Sequence, residues 1–111
     1  MLPGPAVEIT VGGSPNAALT AHACARLANG DVFCWGSNQQ GQLGTGGAKS
    51  SPIPAFVPQI GGALHVSAGS SHTCAIDGGN QLFCWGNNSM GQLGNGNVGG
   101  SQPQPITVKL P

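Results

Sequence analysis

Residues 33–46 read FCWGSNQQGQLGTG, and residues 83–96 read FCWGNNSMGQLGNG. Two nearly identical stretches 50 positions apart mean that one folding unit is written twice, the mark of a repeat architecture. The match widens outward. His22, Cys24, Ala25, Cys34, Trp35, Gly36, Asn38, Gly41, Gln42, Leu43, Gly44 and Gly46 return as His72, Cys74, Ala75, Cys84, Trp85, Gly86, Asn88, Gly91, Gln92, Leu93, Gly94 and Gly96. After Gly96 the offset becomes 51, pairing Pro52, Pro54 and Val57 with Pro103, Pro105 and Val108, so one residue is inserted in a loop between Gly96 and Pro103. Upstream, VSAGSSHTCA at 66–75 is answered only by NAALTAHACA at 16–25, where Leu19 stands opposite Gly69. The division is therefore a degenerate leader at 1–19, a first repeat at 20–60 and a second at 61–111.

Composition narrows the class. Only 5% of the 111 residues are charged and the formal net charge is zero, so there is no basic footprint for nucleic acid or an anionic membrane. No apolar run approaches the ~18 residues of a membrane span. MLPGPAVEIT has neither the basic n-region nor the apolar h-region of a signal peptide. Twenty Gly and nine Pro, with a period and without a long 3.6-residue apolar stripe, predict short strands punctuated by turns. The fold class is all-β.

HACARLANGDVFCW predicts two strands, about 22–27 and 31–35, around a three-residue loop in which Gly30 takes the left-handed position. That register sets Cys24 opposite Cys34, and HTCAIDGGNQLFCW sets Cys74 opposite Cys84 around a loop centred on Gly79. Opposed Cβ atoms of an antiparallel pair lie about 4.5–5.5 Å apart, close to disulfide reach. The leading expectation is two cross-strand disulfides. Four reduced buried thiols remain open, as does zinc held by Cys with His22 or His72, although the spacing lacks the tight C-x₂₋₄-C pattern. Oxidised pairs would place the chain in an extracellular or periplasmic compartment.

The turn after each tryptophan carries Gly36, Gly41, Gly44 and Gly46, then Gly86, Gly91, Gly94 and Gly96, with Asn and Gln side chains available to bond local backbone. GQLGTGGAKS at 41–50 holds the residue types of a phosphate loop without its G-x-x-x-x-G-K-[ST] spacing, and the second copy has no Lys there. His22 and His72 are expected to be structural, with imidazoles bonded to backbone, and unrepeated His65 to be exposed. Trp35 and Trp85 are expected to anchor the core. The only carboxylates are Glu8, Asp31 and Asp77, the last two in or beside hairpin loops, so no general acid–base pair is visible. Serine and histidine adjoin in SSHTC on a strand, where successive side chains face opposite ways, so no nucleophilic dyad is specified.

The stretch HTCAI…GNQLFCWGNNSMGQLGNG closely resembles the repeat of the regulator of chromosome condensation family, and the likeness spans about residues 20–111. It implies two β-propeller blades of four-stranded antiparallel sheet, part of a larger propeller or one completed by further copies. Two blades alone leave large apolar faces open. AVEITV at 6–11 is then expected to add a strand to a neighbouring blade. The family's eukaryotic founder catalyses guanine-nucleotide exchange on a small GTPase through loops outside the repeat. Relatives with paired Cys and CWG serve as interaction surfaces, and some inhibit an enzyme. The resemblance thus implies a non-catalytic scaffold binding a protein partner or further blades, without cofactor, nucleic acid or membrane. Alternatives are exchange-factor or enzyme-inhibitor activity of a parent propeller, or a purely structural repeat in an extracellular assembly. The loops Ser37, Asn38, Gln39, Gln40 and Asn87, Asn88, Ser89, Met90 are the candidate partner contacts, with 47–51 and 97–102 beside them.

Overall fold

The computed structural model describes residues 2–14, 21–89, 91, 93–94 and 99–108. Eight strands form: β1 (Ala6–Gly12), β2 (His22–Leu27), β3 (Val32–Gly36), β4 (Ser51–Phe56), β5 (Ala63–Ala68), β6 (His72–Asp77), β7 (Leu82–Asn87) and β8 (Ser101–Val108). They make two four-stranded meanders, β1-β2-β3-β4 and β5-β6-β7-β8, with every neighbouring pair antiparallel. Pro52 and Pro54 lie on β4 and Pro103 and Pro105 on β8, each the last strand of its sheet. A residue without an N–H is tolerated on such an edge and discourages further pairing there.

The hairpin register is the expected one. Cys24 faces Cys34 and Cys74 faces Cys84, and each pair is a disulfide with Cα atoms 4.1 Å apart. These thiols are therefore not available to zinc. Gly30 takes φ 90°, and its amide donates to Leu27 O at 2.9 Å. The second hairpin is centred on Gly79 as expected, and its left-handed residue is Asn80, φ 62°. Asn80 is the residue 50 positions on from Gly30, and Asn tolerates this region better than most side chains. Asp77 Oδ1 accepts the amides of Gly79 and Gln81 and sets that loop.

The leader gives the largest departure. Residues 6–11, expected from sequence to add a strand to a neighbouring blade, lie in β1, the first strand of the first sheet of this same chain. Glu8 faces Arg26 where His65 faces Ile76, so β1 matches β5 at an offset of 57 (8 to 65), while β2 matches β6 at 50. The seven extra residues fall in the connection ahead of His22. The counterpart of Gly69 is thus Gly12, not Leu19, which lies outside the described residues. A Cβ on Gly12 or on Gly69 would run into the ring of His22 or His72 respectively, so both glycines let backbone lie against an imidazole.

The two sheets meet in one core. Cys24, Val32, Cys34, Leu43 and Val57 of the first half pack with Ala63, Val66, Ala75 and Trp85 of the second. The first disulfide lies inside this joint, with Cys24 and Cys34 both buried. Gly30 also reaches across it, since a Cβ there would come within 2.6 Å of Gly62 Cα. Gly30→Ala is expected to cost about 1–2 kcal/mol for the left-handed backbone alone, with the clash added. Asn80→Gly at the matching exposed position is expected to be neutral or stabilising. Urea unfolding of the two oxidised variants measures the contrast.

Candidate interaction surfaces

The joint is built by the first copy's glycine-rich turn lying on the second sheet. Gly41, Gln42, Leu43 and Gly44 are buried. A Cβ on Gly44 would stand 2.7 Å from Trp85 Nε1, and one on Gly41 would stand 2.6 Å from Pro103 Cα. The Gly46 amide donates to Pro103 O at 2.9 Å, and Ser101 Oγ donates to Gln40 Oε1 at 2.7 Å. Trp85 is wholly buried beneath the turn. Asn38 shapes the turn from within: its Oδ1 accepts the Leu43 amide, and its Nδ2 donates to Gly47 O and Lys49 O. Asn88 repeats the first of these bonds with Leu93.

Polar groups cross the same joint. Thr73 Oγ1 donates to Gln42 O at 2.7 Å, so its oxygen accepts from His22 Nε2 at 2.9 Å, which places a proton on that nitrogen. The His22 imidazole thus finds the Thr73 hydroxyl of the other sheet. Thr73 has Ala23 as its counterpart, and nothing in the repeat pattern points to this role. Nearer the start of each sheet, β5 is an edge strand with open amides. Glu8 Oε1 accepts the Val66 amide at 3.0 Å, and Thr10 Oγ1 accepts the Ala68 amide at 3.1 Å. Arg26 Nε also donates to Glu8 Oε1 at 3.1 Å, while exposed His65 stands 3.6 Å from Oε2. Burial pushes the Glu8 carboxyl up, but the Val66 amide, Arg26 and His65 together outweigh it and hold the pKa below its ordinary 4.5. Burial alone keeps His72 below its ordinary 6.5.

The loop residues separate into two sets. Ser37, Asn38 and Asn88 are buried; the side chains of Asn38 and Asn88 are turned inward to hold the turns, while Ser37 borders an open groove. Gln39, Ser89 and residues 45–50 are exposed, and Gln40 and Asn87 are half-buried; Met90 lies outside the described residues. Trp85 anchors the core as expected, whereas Trp35 is half-exposed.

That asymmetry recurs wherever the copies are compared. Val66 is 4% exposed on the joint, and its counterpart Ile9 is 61% exposed. Gly44 is buried and Gly94 is exposed; Cys24 is buried and Cys74 half-buried. The molecule therefore carries one filled joint and two unfilled halves of it, a front on the first sheet and a back on the second. Trp85→Ala is expected to cost about 3–5 kcal/mol and Trp35→Ala much less, read by urea unfolding. Acid lowers stability in two steps. His72 is less basic folded than unfolded, so stability falls as pH drops below 6.5; Glu8 is more acidic folded, so a further loss begins below 4.5. Unfolding of Glu8→Gln across pH is expected to lack the second step alone, and the second step is no larger than about 1 kcal/mol because Glu8 is partly solvated.

The comparisons with known proteins agree with this geometry. The pattern of the regulator of chromosome condensation (RCC1) repeat matches residues 29–76 and 80–111, and a second form of it matches 64–92. No curated protein matches the chain. Among solved structures, yeast RCC1 (Prp20) bound to Kap60 is 25% identical with a TM-score of 0.82, covering 100% of this chain and 24% of that one. Prp20p from Saccharomyces cerevisiae, solved with a study of its binding to Gsp1p and histones, is 25% identical with a TM-score of 0.80, covering 100% and 25%. Human WBSCR16 is 21% identical with a TM-score of 0.77, covering 97% and 26%, a likeness of fold alone. The chain thus spans about a quarter of the length of each of these structures, and its two sheets are propeller blades. With the repeat pattern lying across both blades and the joint between them, the chain belongs to the regulator of chromosome condensation (RCC1) repeat family.

Proposed function

We propose that this chain is a non-catalytic repeat module that binds a protein partner through its blade loops. One observation carries the reading: the Asn and Leu that hold each turn repeat and are buried, while most of the exposed loop residues change between the copies. Asn38, Leu43 and Asn88, Leu93 are identical and buried, whereas exposed Gln39 becomes Ser89 and the 45–50 segment TGGAKS becomes NGNVGG. A scaffold held fixed by its joints leaves such loops free to carry recognition. The sparse charge favours protein over nucleic acid, for Arg26 is engaged with Glu8 and Lys49 stands singly on a loop. Two disulfides favour an extracellular or periplasmic setting.

The second reading is exchange-factor-like activity in a larger propeller, favoured by the likeness to the yeast protein studied with Gsp1p. A single experiment separates the two. The oxidised chain and its triple loop variant Gln39→Glu, Lys49→Glu, Ser89→Glu are immobilised and exposed to the oxidising compartment's proteins. A protein held by the first and released by the second is the expected result. No retained protein, or retention blind to the loops, sinks the scaffold reading, and accelerated nucleotide release from a small GTPase would move the function to the second one.

A further inference from the structure

We propose that the open front of the first blade is a seat for Gly91, Leu93 and Gly94 of a second copy of this chain, so that copies join head to tail by repeating the internal joint. The inference rests on the reading of the chain as a protein-binding module and names one partner, the chain itself.

The seat is a groove of about 510 Å³ beside Gly36, Ser51 and Pro52. A second hollow of about 240 Å³ adjoins it, bordered by Val11, Ala23 and Trp35. The same positions on the second blade are Gly86, Gln102, Pro103, Ala68, Thr73 and Trp85, and there the first copy's turn fills the space, with Gly41 on Pro103 and Gly44 on Trp85. One surface therefore occurs twice, once occupied and once bare.

The plug is already formed. Gly91 and Gly94 have φ of 74° and 68°, against 77° and 74° for Gly41 and Gly44. Gly94 N–H donates to Gly91 O at 3.1 Å, as Gly44 N–H does to Gly41 O, and Leu93 N–H donates to Asn88 Oδ1 as Leu43 N–H does to Asn38 Oδ1. A turn with its shape set in advance loses little freedom on docking. The edge of β1 has its complement too: the amides of Ile9 and Val11 correspond to those of Val66 and Ala68, and the acceptors Glu8 and Thr10 correspond to His65 and Ser67 on the other blade. Among the described residues no Lys, Arg, Asp or Glu borders the seat, and the sequence of 91–96 holds none, so no charge repels. The contact uses different surfaces on the two copies and so propagates until a ring closes. At two blades per chain, two to four chains fall within the 4–8 blades of closed propellers.

Two polar features of the internal joint are missing from the copied one, the first being the bond from Ser101 to Gln40, whose counterpart is Met90. For the second, Ala23 stands where Thr73 supplies the hydroxyl that links His22 to Gln42 O. His72 of one copy meets a methyl group in the next, so the copy joint is the weaker of the two and reversible.

Light scattering of the oxidised full chain across a concentration series tests this. The expected result is a mass that rises with concentration to two, three or four chains. Pro52→Glu, an exposed change inside the seat, is expected to hold the chain monomeric with unchanged circular dichroism and no free thiol. Ala23→Thr, facing the smaller hollow, is expected to tighten assembly by about five- to tenfold through the restored hydroxyl. A monomer at every concentration for both wild type and Ala23→Thr overturns the proposal and gives the seat to a further repeat joined in one longer chain. An oligomer indifferent to Pro52→Glu overturns it as well. A monomer that still holds a foreign protein through residues 39, 49 and 89 leaves the scaffold reading standing while this one falls.

Discussion

The bare backbone of Gly44 against the indole of Trp85 is the contact on which the arrangement of the two blades depends. A side chain at Gly44 would occupy the space taken by Trp85 Nε1, and one at Gly41 would occupy that of Pro103 Cα. Both glycines also take positive φ, so the turn owes to glycine its conformation and its closeness at once. Burial of Trp85 follows from this, as does the seat of Gly46 on Pro103 O. The matched repeat at 29–76 runs from the β2–β3 hairpin of one blade into β6 of the next. What recurs in the sequence is thus a joint between sheets as much as a sheet.

Hydrogen bonding sets the second constraint. A meander leaves the first strand of each blade with amides that no strand receives, and a row of open amides is costly when covered and adhesive when bare. Here the neighbouring blade answers with side chains, Glu8 and Thr10 reaching Val66 and Ala68. In a chain with three carboxylates in all, one is placed where it accepts a main-chain amide and an arginine together. Charge is scarce in this molecule, and a third of its negative charge is structural.

The sequence made the hairpins legible because their determinants are local. Gly30, the paired cysteines and the fixed offset of 50 give the register without reference to anything distant, and the disulfides follow from it. β1 was hidden because seven additional residues in its connection break the offset, so that AVEITVG and ALHVSAG align only at 57. Asn38 and Asn88 read as loop residues because spacing does not reveal that an amide side chain turns back to hold its own loop. Glu8 and Thr73 act on partners 58 and 31 residues away, and nothing in their neighbourhoods marks them.

The copies differ at buried positions as well as exposed ones, and the buried differences follow a pattern. Trp, the glycines of the turn that follows it and the turn-holding Asn are invariant, so the geometry of that turn is written identically in each copy. The polar pairs are not: Thr73 answers to Ala23, Glu8 to His65, Thr10 to Ser67 and Gln40 to Met90. Apolar burial against glycine fixes how two blades meet but does not distinguish one joint from another. Side-chain hydrogen bonds across the joint do distinguish them, since an acceptor without its donor is left to be desolvated unpaired, at a cost of about 1–3 kcal/mol. The internal joint has such bonds at Thr73 and at Ser101. A repeat chain built this way sets shape with its invariant residues and tells one joint from another with its variable ones.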